Sequence, residues 1–390
     1  MKKMVSMILA LSFCLFCVQT VWASGIEGDN SADVDSAPFE VNAKSAILME
    51  AKTGKILFSQ NPDEPLAPAS VTKVMTLLLV MEAVKENVIS LDDKVTISEY
   101  AASMGGSQVF LEAGEQFSVK ELIKCTVISS ANDAAVALAE FVHGSEEAFV
   151  KKMNERGKEL GLTGSNFENV TGLDDTTVNH TFSAGDIAKV SRELITFPLI
   201  LEYSSTWMDS IRDGAFTLTN TNRLVRFYPG ATGLKTGSTS KAKFCLSATA
   251  ERDGMTLIAV VLGADTRDIR NSETMRLLDF GFANYALYHV PASDMSPIYV
   301  TGGENDTLNI RKEEFSLVIE KGKKGRIKET TELPTTISAP VKIGQQIGTL
   351  IYSIDGETVG TSKIYASEGI EKITFGAMFL KILQTFLHPS

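Results

Sequence analysis

The chain has 390 residues, with 37 Lys and Arg against 48 Asp and Glu, a net charge of −11 and 44% apolar residues. That profile is globular: it excludes wholesale disorder, collagen and coiled coil, and the length holds one large core or two smaller ones. The acidic balance argues against nucleic acid as a partner, and His143, His180, His289 and His388 do not pair at metal-ligand spacing.

Lys2 and Lys3 precede the apolar run Met4 to Val21, and Val21-Trp22-Ala23 is followed by Ser24 and Gly25. A basic start, an apolar middle and small residues at the end describe a secretory signal peptide over residues 1–23, and hence an exported protein. A membrane-spanning anchor is the competing reading. Lipidation is disfavoured by the bulk of Phe13 before Cys14; Cys17 lies in the same segment. Cys125 and Cys245 each sit in an apolar stretch and read as buried free thiols. Residues 24–40 are small, polar and acidic, which predicts a flexible leader.

From Ser45 the sequence SAILMEAKTGKILFS reads as two strands around a turn at Lys52-Thr53-Gly54. Pro62, Pro65 and Pro68 force a loop, and a helix follows from about Ser70 through KVMTLLLVMEAV. Helical patterns also cover 118–128, 130–142, 145–160 and 183–196. The block Phe216 to Gly263 is strand-like, and 268–288 reads as a closing helix. Helices framed by strands from both ends predict a helix-covered sheet over 41–290, in an α/β or α+β layering. After Pro291, short alternating stretches between Gly and Pro turns predict a small all-β domain over 291–370. Within 371–390, Lys381, Gln384, Thr385 and His388 make one polar stripe, with Phe379, Ile382, Leu383 and Phe386 around it. The segment is too short to span a bilayer but suits a helix lying in a membrane surface. The alternative is a terminal helix docked on the protein's own core.

Three short stretches carry chemistry. In Ser70-Val71-Thr72-Lys73, residues three apart share a helix face, so the Lys73 amine can reach the Ser70 hydroxyl. A hydroxyl needs a base, and lysine serves when burial or a neighbouring cation lowers its pKa. In Ser130-Ala131-Asn132, the serine can pass a proton and the Asn can hold the lysine; the plainer reading is a helix cap. In Lys235-Thr236-Gly237, Lys235 adds positive potential, Thr236 can contact a substrate carboxylate, and Gly237 admits substrate backbone. Each motif recurs elsewhere, at Ser238…Lys241, Ser240…Lys243, Ser59…Asn61 and Lys52-Thr53-Gly54. Their order and contexts as a set belong to penicillin-binding proteins and class A β-lactamases.

With Pro68-Ala-Ser70-Val-Thr-Lys73-Val-Met75-Thr76, Ser129-Ser130-Ala131-Asn132-Asp133-Ala134 and Gly233-Leu234-Lys235-Thr236-Gly237, the chain resembles the penicillin-binding protein 5-like D-alanyl-D-alanine carboxypeptidases, serine peptidase family S11. Ala131 stands where the family usually has Gly, and Ser238 where some members have His. Phe167…Asn169…Gly172-Leu173 and Ser183-Ala184…Asp186-Ile187-Ala188 are similar to its middle region. Arg270, before Leu277-Leu278-Asp279-Phe280-Gly281-Phe282, aligns with an Arg that helps hold the substrate carboxylate. The resemblance implies the serine penicillin-recognising fold: a central antiparallel sheet flanked by helices, an all-helical subdomain, a β-rich domain and an amphipathic C-terminal anchor. It implies Ser70 as nucleophile, Lys73 as base and Ser130 as proton relay. Asn132, Lys235, Thr236, Gly237, Ser238 and Arg270 would bind substrate, with backbone N–H groups of Ser70 and Ser238 steadying the oxyanion. The substrate is a peptidoglycan stem peptide, β-lactams are covalent inhibitors, and no metal or organic cofactor is needed. A location at the outer face of the cytoplasmic membrane follows, peripheral through the C-terminal helix, or secretion.

Two rivals remain open at this point. A class A-type β-lactamase needs a deacylating carboxylate, for which Glu168 lies in a suitable region. A non-catalytic penicillin-sensing or wall-binding protein would use the same fold. His180 reads as a loop-ordering residue, Ser183…Asp186 as a capping box, and Asp174-Asp175 as a solvated turn.

Overall fold

The computed structural model describes residues 39–175 and 177–387. The expected signal peptide with Cys14 and Cys17, the leader up to residue 38 and His388 lie outside the described residues.

Five antiparallel strands form the central sheet: β1 (Ser45–Glu50), β2 (Ile56–Gln60), β3 (Ala231–Thr239), β4 (Lys243–Arg252) and β5 (Met255–Ala264). Their spatial order is β2-β1-β5-β4-β3, which leaves β3 at an edge. The apolar run TLIAVVLGA shows no alternation because both faces are covered. Ile258, Val260 and Leu262 join Ile47 and Met49 in one core, while Leu257, Ala259 and Val261 join Ala46 and Leu48 in another. The first core takes the helices α1 (Lys73–Lys85), α2 (Val119–Ile128), α3 (Asn132–His143), α4 (Glu146–Glu159) and α5 (Ala184–Leu194). The second is closed by α6 (Arg267–Asn284) through Leu277, Leu278 and Phe282. Helix α1 is buried continuously from Lys73 to Met81, as an all-round apolar helix must be. Ser118 and Glu121 make a reciprocal capping box for α2. The box expected at Ser183…Asp186 is half made: Ser183 Oγ accepts from the Asp186 N–H, but the Asp186 carboxylate turns to the Gly164 N–H and the Ser165 hydroxyl.

The helix expected over 268–288 stops at Asn284. Tyr285–Val290 is a strand that pairs antiparallel with Phe315–Glu320, so the aromatic and β-branched run YALYHV goes to a ladder. The all-β region therefore starts ahead of Pro291. Its six-stranded sheet is antiparallel except where Tyr299–Thr301 runs parallel to Thr336–Ser338, and its core centres on Tyr352, whose ring stacks on Phe315 at 3.9 Å. Phe216–Thr219 is a strand, as its place in the strand-like block predicts, but its partner Met208–Ile211 and the helix Pro198–Ser205 were not anticipated, although proline at a first helical turn is a readable start signal. The terminal helix α7 (Phe375–Leu387) exposes Phe375, Phe379, Leu380 and Ile382. Lys381 on it meets Asp306. Among the described residues, no helix is long and apolar enough to cross a membrane. Cys125 and Cys245 are free and buried.

A short 3-10 turn, Ala69–Thr72, feeds into α1 and carries Ser70. Gly172 lies against it at φ +81°, where a Cβ would stand 1.8 Å from the Ala69 carbonyl oxygen and 2.6 Å from Thr72 Oγ1. Gly254 has a similar φ of +76° with nothing within 4 Å of its Cβ position. Both alanine variants share the backbone penalty, and only Gly172→Ala adds a collision. Gly172→Ala should therefore lower the unfolding free energy by roughly 1–3 kcal/mol more than Gly254→Ala, read as a lower denaturation midpoint.

Candidate active site

Lys73 is fully buried at the first turn of α1. Its Nζ lies 3.0 Å from Ser70 Oγ, 2.6 Å from Asn132 Oδ1 and 2.9 Å from the Thr171 carbonyl oxygen. The Asn132 amide orientation is fixed because its Nδ2 donates to the Gly105 carbonyl at 2.6 Å. Two of the three partners are thus pure acceptors. Asn132 and Thr171 accept from Lys73 and hold its amine against the Ser70 hydroxyl. Burial holds the Lys73 pKa well below the usual lysine range, and the Lys235 charge lowers it further, against an opposing pull from Asp133. Ala69, just before the serine, sits at φ +49°.

Ser130 also has a left-handed backbone, φ +61°. It is not a cap: Ala131 holds the N-cap position of α3, with no side-chain cap bond. The Ser130 hydroxyl instead accepts from Lys235 Nζ at 2.8 Å. Lys235 lies inside β3, is buried, and donates also to the Thr236 carbonyl at 2.9 Å. Burial and the Arg270 charge push its pKa down to about 7. Thr236 Oγ1 donates to Thr221 Oγ1 at 2.7 Å. Gly237 is required for a reason other than substrate access. A Cβ there would stand 2.8 Å from both the Pro68 carbonyl oxygen and the Ser70 nitrogen, so glycine lets β3 approach the serine turn. Ser238 lines one cleft with Ser70, Ser130, Thr236, Gly237 and Arg270. Arg270 donates to the Asn271 side-chain oxygen at 2.8 and 3.1 Å, and to the carbonyl of Cys245, which pairs with Gly237 across the ladder, at 3.4 Å.

The structure thus brings all nine sequence-derived site residues to one place. It adds Thr171, which no motif named, and gives a place to Asn169, which the sequence marks only as part of the family-like middle region. Thr171 supplies a carbonyl to Lys73, and Asn169 shapes that loop: its Oδ1 accepts from the Gly172 N–H at 2.7 Å and its Nδ2 donates to the Leu173 carbonyl at 2.7 Å. His180 Nδ1 accepts from the Glu168 N–H at 3.0 Å, so Nε2 carries the proton and donates to Thr72 Oγ1 at 2.8 Å. Burial lowers its pKa to about 4 and keeps it neutral. His180 therefore orders the loop. The Glu168 carboxylate accepts from the Val178 and Asn179 N–H groups, a commitment to its own loop that does not suit a deacylating base. Asp174 is more than a solvated turn, since its carboxylate takes a hydrogen bond from Thr239 at the end of β3. Among the recurring motifs, Lys52-Thr53-Gly54 is a hairpin turn capped by the Glu50 carboxylate. Ser238…Lys241 and Ser240…Lys243 fall at the β3–β4 turn.

A hydroxyl 3.0 Å from a buried amine of lowered pKa, with a second serine on a second lysine, suits acyl transfer. The sequence matches the D-alanyl-D-alanine carboxypeptidase family profile over residues 31–266, and the penicillin-binding protein 5 C-terminal domain over 293–372. It is 45% identical to D-alanyl-D-alanine carboxypeptidase DacF of Bacillus subtilis over 87% of this chain and 88% of that one. The fold matches crystalline penicillin-binding protein 5 from Haemophilus influenzae with a TM-score of 0.74 and 32% identity, covering 86% of this chain and 99% of that one. It also matches penicillin-binding protein D2 from Listeria monocytogenes in its ampicillin-bound form, with a TM-score of 0.55 and 34% identity over 63% of this chain and 98% of that one. With the motifs assembled in one cleft and these matches spanning both parts of the molecule, the chain belongs to the D-alanyl-D-alanine carboxypeptidase family.

Proposed function

We propose that the chain is a serine D-Ala-D-Ala carboxypeptidase, which removes the terminal D-Ala of peptidoglycan stem peptides through an acyl-enzyme on Ser70. The observation that carries this reading is the buried Lys73 amine 3.0 Å from the Ser70 hydroxyl, with a pKa lowered by burial and by the Lys235 charge. Lys73 takes the Ser70 proton as Oγ bonds to the carbonyl carbon between the two D-Ala residues. Backbone N–H groups of Ser70 and Ser238 hold the oxyanion. When the C–N bond breaks, Ser130, held by Lys235, delivers a proton to the departing amine. Water then attacks the ester, gives its proton to Lys73 and frees Ser70. Asn132 positions Lys73, while Thr236 and Arg270 hold the terminal carboxylate. A β-lactam acylates the same Ser70, but its leaving group stays attached.

In this reading a signal peptide over 1–23 exports the chain and 371–390 attaches it to the outer face of the cytoplasmic membrane, with the β domain as spacer. Support comes from the row of exposed apolar residues on α7.

Replacing Ser70 by Ala should cut D-Ala release from a D-Ala-D-Ala peptide on the order of 10^4-fold or more, and remove the penicillin adduct seen by mass spectrometry. Equal release by wild type and variant would overturn the assignment. Activity needs Lys73 neutral and Lys235 charged. Accordingly kcat/KM should rise with pH as Lys73 loses its proton and fall as Lys235 loses its own, at about 7. In Lys235→Arg the guanidinium stays charged, so the falling limb should move to higher pH even if the plateau is lower. Mature protein should co-sediment with phospholipid vesicles, and protein ending at residue 370 should stay in the supernatant.

A further inference from the structure

The cleft wall carries more positive charge than one substrate carboxylate uses. Arg270 is 3% exposed, and its guanidinium bonds only to the neutral oxygens of Asn271 and Cys245. Arg267 stands one turn earlier on α6, on the same helix face, and lines the same cleft with an exposed side chain. Burial first, and then the Arg267 charge, lower the Arg270 pKa to about 10, against an opposing pull from Asp268. Arg223 reaches the cleft from the segment along the free edge of β3. That segment is tied to the strand by Asn222, which donates to the Gly233 carbonyl at 2.8 Å, and by Thr221, which accepts from Thr236. Among the described residues, no Asp or Glu lines this cleft, and none forms an ion pair with Arg223 or Arg267. In a chain of net charge −11, a cleft lined by three arginines and by no carboxylate among the described residues suits an anion. Thr236, Gly237 and Ser238 line the same cleft.

We propose that the leaving side of the cleft is a subsite for two carboxylates: Thr236 and Arg270 take the terminal one, and Arg223 with Arg267 take a side-chain carboxylate of the departing residue. Peptides ending in D-Ala-D-Asp or D-Ala-D-Glu are then substrates as well as those ending in D-Ala-D-Ala. The inference rests on the carboxypeptidase reading. The chemistry is unchanged: water is consumed, the same C–N bond breaks, and the acidic amino acid leaves with the proton from Ser130.

The test measures D-Ala, D-Asp and D-Glu release from otherwise identical stem peptides by wild type, Arg223→Gln, Arg267→Gln and the double variant. Wild type should release an acidic residue with kcat/KM within about threefold of that for D-Ala. The acidic-to-D-Ala ratio should fall about tenfold for each guanidinium removed, the scale of a lost charge-assisted contact, and should shrink in wild type as salt rises. D-Ala release by each variant reports that the fold and the Ser70 centre are intact. Wild type that releases D-Ala but releases acidic residues about a hundredfold more slowly overturns the subsite alone, as does a ratio unchanged in the double variant. Wild type that releases neither overturns the carboxypeptidase reading instead.

Discussion

The proposed chemistry depends on keeping one lysine amine out of water. In solvent the Lys73 side chain would carry its proton at neutral pH and could not serve as a base. The apolar helix α1 buries it, and the oxygens of Asn132 and Thr171 meet it there. The cost is the loss of hydration of a charged group, which the fold avoids by favouring the neutral form. Lys235 makes the arrangement electrostatic as well as steric, because its own charge disfavours a proton on Lys73. The two lysines thus have opposite duties, and their environments separate them: one is completed by three polar partners, the other points its remaining valence toward the cleft through Ser130.

That constraint explains why residues far apart in sequence share tight steric requirements. Gly237 and Gly172 press on the Ser70 turn from different elements, one an edge strand and the other a loop. Neither tolerates a side chain, since a Cβ at either position would meet the backbone of that turn.

The sequence disclosed the parts of this that follow from local periodicity. Ser70 and Lys73 share a helix face at any i, i+3 spacing, and the strand character of the Lys235 segment is visible in its residues. Most helices could be placed within a few positions by the same logic. What could not be read was anything set by a contact across the chain. The carbonyl of Thr171 reaches Lys73 over 98 positions, and a backbone group has no side-chain signature. The break at Tyr285 was missed because YALYHV suits either a helix end or a strand, and only its partner Phe315–Glu320 decides. Asp174 reads as a solvated turn from its type alone, and its hydrogen bond from Thr239 gives it a further role; the close approach of Gly237 to the Ser70 turn is likewise invisible in the sequence.

The left-handed backbones at Ala69 and Ser130 carry a consequence for endurance. A residue with a Cβ held at φ +49° or +61° costs on the order of 1 kcal/mol relative to glycine, and both flank the reacting groups. Glycine at position 130 would relax the chain while deleting the hydroxyl that meets Lys235. The buried lysine would lose its partner at a cost of about 1–3 kcal/mol, so the awkward turn and the hydroxyl it presents stand or fall together.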